Sequence, residues 1–369
     1  MRVWILSSNR WNSAITEYAL SCARSLADRG HNVTFTPLKD SPAEIRGVAA
    51  GLQVVPFASF SLAALGRFSK FAKIIQPEIV LVVGGPETVL TIAMPELPHA
   101  TRIVRFRGQE LPTSGIMTSL RHRLAHRNVD LVLAPSEYIA HSVRTLSLSV
   151  EVASVMLGID GTHYFRKISP KSETQPFSDQ EDVLVFGRFD PVKNHEGFLR
   201  VFALMLSQWD HTWRPRVRIV GHPANVTASH LRRWVEKFGL VDGRDVIIES
   251  AQVGDVAALL SSTLLGVVPS KGSEIICRVA EEFLLCGTPV LVSGAGSLDE
   301  TLFEGAGQTW TGTSTDAERA AVLYSSLIQA HQETESVRQR RADEAKKRFS
   351  LDAMGSTLEG LFQNLLLER

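Results

Sequence analysis

The chain has 369 residues, 44% hydrophobic and 21% charged, a composition that fits two ordinary globular domains and excludes a disordered or low-complexity polymer. Lys+Arg and Asp+Glu balance at 39 each, so no global positive charge points to nucleic acid, and no nucleic-acid partner is expected. The imbalance is local: residues 1–165 carry 16 basic against 12 acidic side chains. No apolar run approaches the roughly 18 residues of a membrane span, and the apolar core of the opening MRVWIL is too short for a signal peptide, so a cytoplasmic location is expected.

In chain order, RVWILSS reads as a first strand, and Ile15, Tyr18, Ala19, Cys22 and Leu26 fall three and four apart as one face of a helix. Gly30 stops that helix and NVTFTPL is the next strand. The stretch FASFSLAALGRFSKFAKIIQP mixes Leu65, Phe68 and Phe71 with Arg67, Lys70 and Lys73. Such a helix either lies on an anionic membrane surface, helped by Arg121, Arg123 and Arg127, or turns its apolar face to the core and its cations to water.

EIVLVVGG, TRIVRFRG, VDLVLAPS and VEVASVM continue the series of strands. Strands alternating with helices imply parallel βαβ units and a doubly wound sheet. VVGGPE lacks the spacing of a dinucleotide motif, and His122 and His126 in HRLAH lack the glutamate of a metalloprotease helix, so a solvated basic face is expected there. Cys22, Cys277 and Cys286 lie in apolar helical patterns without CxxC spacing and read as core residues. No metal and no cofactor are expected.

Lys167 to Asp182, polar with two prolines, reads as a linker between a domain at 1–166 and another at 183–350, with 351–369 as a helix packing across both. After it the pattern restarts: DVLVFGR, a helix from Glu196 to Trp209, RVRIVGH, a helix around Leu231 to Phe238, DVIIES, a helix around Val256 to Leu260, then LGVVPS and PVLVSG as strands. The expected fold class is α/β, two Rossmann-like domains facing a cleft, with ligands at the carboxyl ends of the strands.

Two clusters fall at such ends. In VFGRFDPVKN, Gly187 permits a tight exit from the strand, and Arg188 and Lys193 supply two cations suited to a diphosphate. In VVPSKGSEIICRVAEEFLL, an apolar helical period runs from Ile276, with Glu274 at the helix entry and Glu282 about two turns on, roughly 12 Å along the axis. That span suits a nucleotide sugar. By spacing alone a plainer reading stands beside it: Glu274 complements the helix dipole and Glu282 is a solvated surface residue.

The order of FGRFDPVKN, RIVGHP, VVPSKGSE, the Glu274/Glu282 pair and CGTPVLVSGAGSLDE, with Glu300 in register, resembles the retaining GT-B glycosyltransferases of the large fourth glycosyltransferase family over about residues 183–302. The resemblance implies that Arg188 and Lys193 neutralise the donor diphosphate. It implies that Glu274 contacts sugar hydroxyls, that Glu282 binds the ribose, and that Gly187, Gly221, Ser270, Ile275, Ile276 and Cys277 line the donor site. It further implies metal-independent, retaining transfer from a nucleotide-diphosphate sugar to a glycan or lipid-linked acceptor of the cell-envelope type, with attachment to the inner face of the cytoplasmic membrane as a further expectation.

Two departures stand out. Relatives carry small residues after the first glutamate where this chain has Ile275-Ile276-Cys277, a change expected to reshape the donor pocket. SNRWNSA replaces a glycine-rich first loop, and Arg107, Gly108 and Gln109 stand where relatives often have a histidine, so no catalytic histidine is assigned. A nucleotide-sugar epimerase of the same fold and a non-catalytic nucleotide-sugar binder remain as alternatives.

Overall fold

A computed structural model describes residues 1–93, 97, 101–109, 125–126, 128–146, 149–167, 180–250, 253–272, 274–311 and 314–368, with backbone only at 180 and 181. The chain forms two compact units, Met1–Ile159 with Phe349–Arg369, and Asp160–Arg348.

In the first unit, β1 (Arg2–Ser7), β2 (Asn32–Pro37), β3 (Gln53–Val54), β4 (Ile79–Val82), β5 (Arg102–Phe106), β6 (Leu131–Ala134) and β7 (Glu151–Ser154) form a parallel sheet in the order β3-β2-β1-β4-β5-β6-β7. The near-continuous apolar runs of β1, β4 and β6 are what a sheet covered on both faces requires, and their residues are buried accordingly. Helix α1 (Ala14–Asp28) begins where the Ser13 side chain accepts from the Thr16 amide and ends before Gly30, whose φ of 82° suits glycine. The two-residue β3 is too short to leave a periodic signal in the sequence.

After α2 (Pro42–Ala49), helix α3 (Leu65–Ile75) settles the aromatic and basic stretch. Phe68 is fully buried and stacks on Phe57 at 4.3 Å, while Leu65 and Phe71 pack against the same cluster around Trp4. Arg67, Lys70 and Lys73 are exposed. The aromatic stripe therefore belongs to the core, and the charges face water together with Ile74. His126 corrects the solvated-face expectation: it is 5% exposed, with its Nε2 3.5 Å from Arg105 Nη1 over β5. Arg121, His122, Arg123 and Arg127 lie outside the described residues.

Helices α4 (Gly85–Ala93) and α5 (Glu137–Arg144) follow among the described residues of the N-terminal part of this unit. The division at Ile159 falls before residue 166, where the sequence suggests it, because Arg166 and Lys167 are already tied into the second unit. Arg166 donates to Glu335 and to the Ser261 carbonyl, and Lys167 pairs with Asp255 at 2.6 Å. The expected linker falls mostly on residues 168–179, outside the described residues.

In the second unit, β8 (Gln180–Phe186), β9 (Arg214–Val220), β10 (Val246–Glu249), β11 (Leu265–Val268), β12 (Val290–Ser293) and β13 (Gly307–Trp310) form a parallel sheet in the order β10-β9-β8-β11-β12-β13. Its helices are α6 (His195–Leu206), α7 (Ala228–Lys237), α8 (Val256–Ser261), α9 (Arg278–Leu285), α10 (Asp316–His331) and α11 (Glu335–Phe349). Buried Phe198, Phe202, Ile219, Val267 and Leu323 belong to one core cluster.

The last helix, α12 (Leu351–Leu367), belongs to the first unit. Arg29 holds it through Glu359 at 2.6 Å and Asp352 at 2.8 Å, and Gly355 lets it pass close to the Ser25 carbonyl of α1. No helix among the described residues is long and apolar enough to cross a membrane.

Each sheet reverses its strand order at one place, between β1 and β4 in the first unit and between β8 and β11 in the second. At such a point the connections diverge to opposite faces and leave a crevice at the carboxyl ends of the strands.

Candidate functional site

The loops after β8 and β11, which carry Arg188, Lys193 and Glu274, stand at the switch point of the second unit. β8 ends at Phe186, and Gly187 follows with φ of 141°, a backbone angle that suits glycine. A Cβ added at Gly221, just beyond β9, would stand 1.8 Å from the Gly187 carbonyl, so the two strand ends meet only because residue 221 is glycine.

From Gly187 the chain turns through Arg188 to Asp190, whose carboxylate caps the short 3-10 turn Pro191–Lys193. Asp190 Oδ1 accepts from the Val192 amide at 3.1 Å and Oδ2 from Asn225 Nδ2 at 2.9 Å. The Val192 amide, then Asn225 and the charges of Arg188 and Lys193, hold this carboxyl below its usual range. Asn194 follows in the left-handed region at φ 56°, and its Nδ2 donates to the Pro269 carbonyl at 3.0 Å. The Lys271 amide donates to the Val192 carbonyl at 2.8 Å. The loop after β8 is thereby bolted to the loop after β11.

This frame brings Lys193 and Glu274 together. Lys193 Nζ donates to Glu274 Oε1 at 2.5 Å, and Ser270 Oγ donates to the same oxygen at 2.5 Å. Glu274 is 5% exposed, and among the described residues no donor reaches its Oε2. One oxygen is thus anchored and the other is left as an acceptor. Lysine carries three donor hydrogens, so Lys193 can hold Glu274 and still serve a second anion. Arg188 is exposed beside this pair.

The helical period expected from Ile276 begins later, because α9 starts at Arg278. The carbonyl of Glu274 accepts from the Ser297 amide at 2.8 Å and the Ser297 hydroxyl at 3.0 Å, and that hydroxyl also lies 3.1 Å from the Ile275 carbonyl. Those carbonyls are therefore spent on a neighbouring loop instead of on a helical turn. The loop approaches so closely that a Cβ at Gly296 would lie 2.1 Å from the Glu274 carbonyl.

Ile275 takes no positive φ, so the β-branched residue sits in the pre-helix loop at a backbone angle open to it. Ile275 and Ile276 are half-buried. Cys277 is buried with its Sγ 3.2 Å from Ser297 Oγ, and burial raises its thiol well above the usual range. Among the described residues nothing accepts from the backbone amides of Ile275, Ile276 and Cys277. They resemble the unpaired donors that favour an anion at a helix start.

Glu282 is buried, 3% exposed, which removes the solvated-surface reading. Arg278, one turn earlier, donates to it at 2.6 Å and lies over the Tyr164 ring, 5.9 Å from the centroid. Burial, then the charge of Glu282, pushes the Tyr164 phenol up to about 12. Next to it, Glu281 is fully enclosed; burial, with Glu282 adding, pushes its carboxyl up to about 8. Among the described residues no group of three His, Cys, Asp or Glu side chains is placed to hold a metal ion.

The sequence did not single out Asp190, Asn194, Gly296, Ser297, Tyr164 or Arg278. Arg278 and Glu282 stand four apart, a legible helical pair. Asp190 caps its own turn, Tyr164 meets the Arg278 side chain from over a hundred residues away, and Asn194, Gly296 and Ser297 act by backbone contacts between segments far apart in the chain, which no spacing announces.

The family model for glycosyl transferases group 1 matches residues 167–348. A comparison with curated protein sequences finds no match. Among solved structures, HepE from Anabaena, in a complex with UDP and glucose, superposes with a TM-score of 0.73 at 17% identity, covering 99% of this chain and 100% of that one. The sucrose-phosphate synthase of Thermosynechococcus elongatus gives 0.73 at 15% identity, covering all of both chains. The lipopolysaccharide outer core galactosyltransferase WaaB gives 0.74 at 11%, covering 99% of this chain and 100% of that one. The two parallel sheets with their interleaved helices are thus the GT-B fold, and residues 167–348 belong to glycosyl transferases group 1.

Proposed function

We propose that the chain is a glycosyltransferase that moves a sugar from a nucleotide-diphosphate donor, held in the crevice of the second unit, to a glycan or lipid-linked acceptor of the cell-envelope type. The observation that carries this reading is the Lys193–Glu274–Ser270 cluster, where a cation and a half-anchored carboxylate share one crevice. A nucleotide sugar offers the matching pair of groups, a diphosphate and a ring of hydroxyls. The similar HepE structures contain UDP with glucose and UDP-glucose, which supports a nucleotide donor of that class.

In this reading the bond between the anomeric carbon and the diphosphate oxygen breaks, and the electron pair leaves with the diphosphate. Lys193 and Arg188 stabilise the charge that develops there, supplying from side chains what a metal ion supplies in other transferases. Glu274 Oε2 accepts from sugar hydroxyls and fixes the ring. Glu282, oriented by Arg278, accepts from the ribose hydroxyls. The acceptor hydroxyl bonds to the anomeric carbon on the face the diphosphate leaves, and its proton passes to the departing phosphate, so configuration is retained without a carboxylate nucleophile. The exposed Arg67, Lys70 and Lys73 suit a weak electrostatic contact with an anionic membrane surface.

A panel of nucleotide sugars, assayed for released nucleoside diphosphate with and without a glycan acceptor mixture, tests the reading. Acceptor-dependent release from at least one donor is expected. Sugar epimerisation without release, or tight nucleotide binding with no turnover on any donor, would overturn it.

A further inference from the structure

The first unit has a crevice of its own at the switch between β1 and β4, where a cavity of about 330 Å³ opens. Ser7 and Ser8 from the end of β1, Gly84 from the end of β4, and Arg105 and Arg107 from the end of β5 line it. Its one carboxylate among the described residues, Glu87, is fully buried at the start of α4 and is already engaged. Ser8 donates to Oε1 with its amide and to Oε2 with its hydroxyl, the latter at 2.8 Å.

The two arginines are not engaged in the same way. Arg105 is 8% exposed; its Nη1 donates to the Ala125 carbonyl at 3.0 Å and stands near His126. The Arg107 Nε is buried without a hydrogen-bond partner among the described residues, as is the Ser7 hydroxyl. Neither guanidinium pairs with a carboxylate among the described residues, and burial lowers the pKa of both, that of Arg105 to about 10. Residues two apart on an extended strand share a face, and the Arg107 amide still donates to the Leu133 carbonyl at 2.7 Å, so β5 geometry extends to it. Phe106 between them stacks on Tyr18 at 4.0 Å, and Tyr18 is pinned to the Val155 carbonyl at 2.8 Å. The strand end that presents both cations is rigid.

The molecule also shows what a buried arginine looks like when its role is structural. Arg341, 4% exposed, donates to the carbonyls of Gly287 and Gly305 at 2.7 and 2.6 Å and pairs with Glu333. A guanidinium desolvated without such partners is unfavourable, and an oxyanion is the group that completes it, since the planar fork matches phosphate and carboxylate oxygens.

We infer that this cavity receives the oxyanion of a negatively charged acceptor sugar, a phosphate monoester or a carboxylate, on Arg105 and Arg107. The word acceptor rests on the glycosyltransferase reading; the anion site does not. Neutral sugars lack the charge that the cavity is built to meet, so the site selects among acceptors by charge.

Calorimetric titration of the full chain with a hexose 6-phosphate, a hexuronate, the neutral hexose and a free nucleoside diphosphate tests this. The wild type should bind one of the two anionic sugars at least about tenfold more tightly than the neutral hexose, and the tighter of the two identifies the source of the oxyanion. Arg107→Gln should lose roughly tenfold to hundredfold of that affinity and keep its affinity for the nucleoside diphosphate. Arg107→Lys, which keeps the charge without the fork, should fall between them. Equal binding of charged and neutral sugars by the wild type would overturn the inference whatever the variants do. So would a loss of nucleoside diphosphate affinity in Arg107→Gln, which would give the cavity to the donor. Anionic sugar binding as expected, with no nucleoside diphosphate bound by the wild type, would leave the anion site standing and remove the glycosyltransferase reading.

Discussion

The two switch-point crevices present their charges in different ways. In the second unit Lys193 faces Glu274 at 2.5 Å, and Ser270 steadies the same carboxylate oxygen. In the first unit the carboxylate Glu87 is turned onto Ser8, and Arg105 and Arg107 lack a carboxylate partner among the described residues. A crevice with a cation and a half-anchored acceptor suits a ligand carrying both a phosphate and hydroxyls. A crevice whose carboxylate is already engaged, and whose cations have no carboxylate partner among the described residues, suits an anion. The same parallel-sheet geometry thus offers two chemistries, according to which side chains stand at its strand ends.

The largest effect that sharpens this contrast concerns the two cations of the second crevice. Arg188→Ala and Lys193→Ala should each lower turnover by roughly 3–4 kcal/mol, a hundredfold to a thousandfold, in steady-state assays. Their effects on stability should differ. Arg188 is exposed and its loss should leave the denaturation midpoint nearly unchanged, whereas Lys193→Ala strands the buried Glu274 with Ser270 alone and should cost on the order of 1–3 kcal/mol. Near-normal rates in both variants would break the diphosphate assignment.

A second test uses Glu281, the buried carboxyl beside Glu282. Its folded pKa, about 8, lies above the unfolded value of about 4.3, so the folded state holds the proton more tightly. The stability it contributes is present in full below the unfolded value and is lost as pH rises through about 8. Thermal melts of wild type and Glu281→Gln should therefore diverge between about pH 4.5 and 8, with the variant the more stable by a few kcal/mol at alkaline pH. Parallel curves would mean that Glu281 is ionised in the folded protein.

The smallest expected effect lies in the first unit, on the exposed charges of α3. Changing Lys70 and Lys73 to Glu should weaken binding to anionic vesicles severalfold for each lysine lost, at roughly 1 kcal/mol per charge near the surface, with the difference shrinking as salt is added. Phe68 is buried and offers no anchor that would mask that loss. Equal, poor binding to anionic and neutral vesicles would end the membrane reading.

These tests also divide what was legible in the sequence from what was not. Parallel strands such as Ile79–Val82 and Val290–Ser293 are buried on both faces, so their apolar runs announce them. Gly187, Arg188, Lys193, Glu274 and Glu282 stood out because strand ends and helix starts are marked by local residues. The edge strands Gln53–Val54 and Gly307–Trp310 were silent, being short and without alternation. The delayed start of α9 was hidden as well, because it depends on Ser297, more than twenty residues away, taking the carbonyls that a helix would have used. For the same reason TRIVRFRG read as a strand whose end, from Arg107, stands at a family position, but not as a pair of buried cations: the bond from Arg105 to the Ala125 carbonyl, and the lack of a partner for Arg107 Nε among the described residues, appear only when the chain is folded.

The claim that a nucleotide donor sits in the second crevice is tested most directly by titrating the wild type, Glu282→Gln and Glu274→Gln with the free nucleoside diphosphate. Glu282→Gln keeps the shape but weakens a charge-assisted bond to the ribose, and should lose roughly tenfold in affinity. Glu274→Gln touches the sugar, which this ligand lacks, and should bind it as the wild type does. Unchanged affinity in Glu282→Gln, or an equal loss in both variants, would contradict the account.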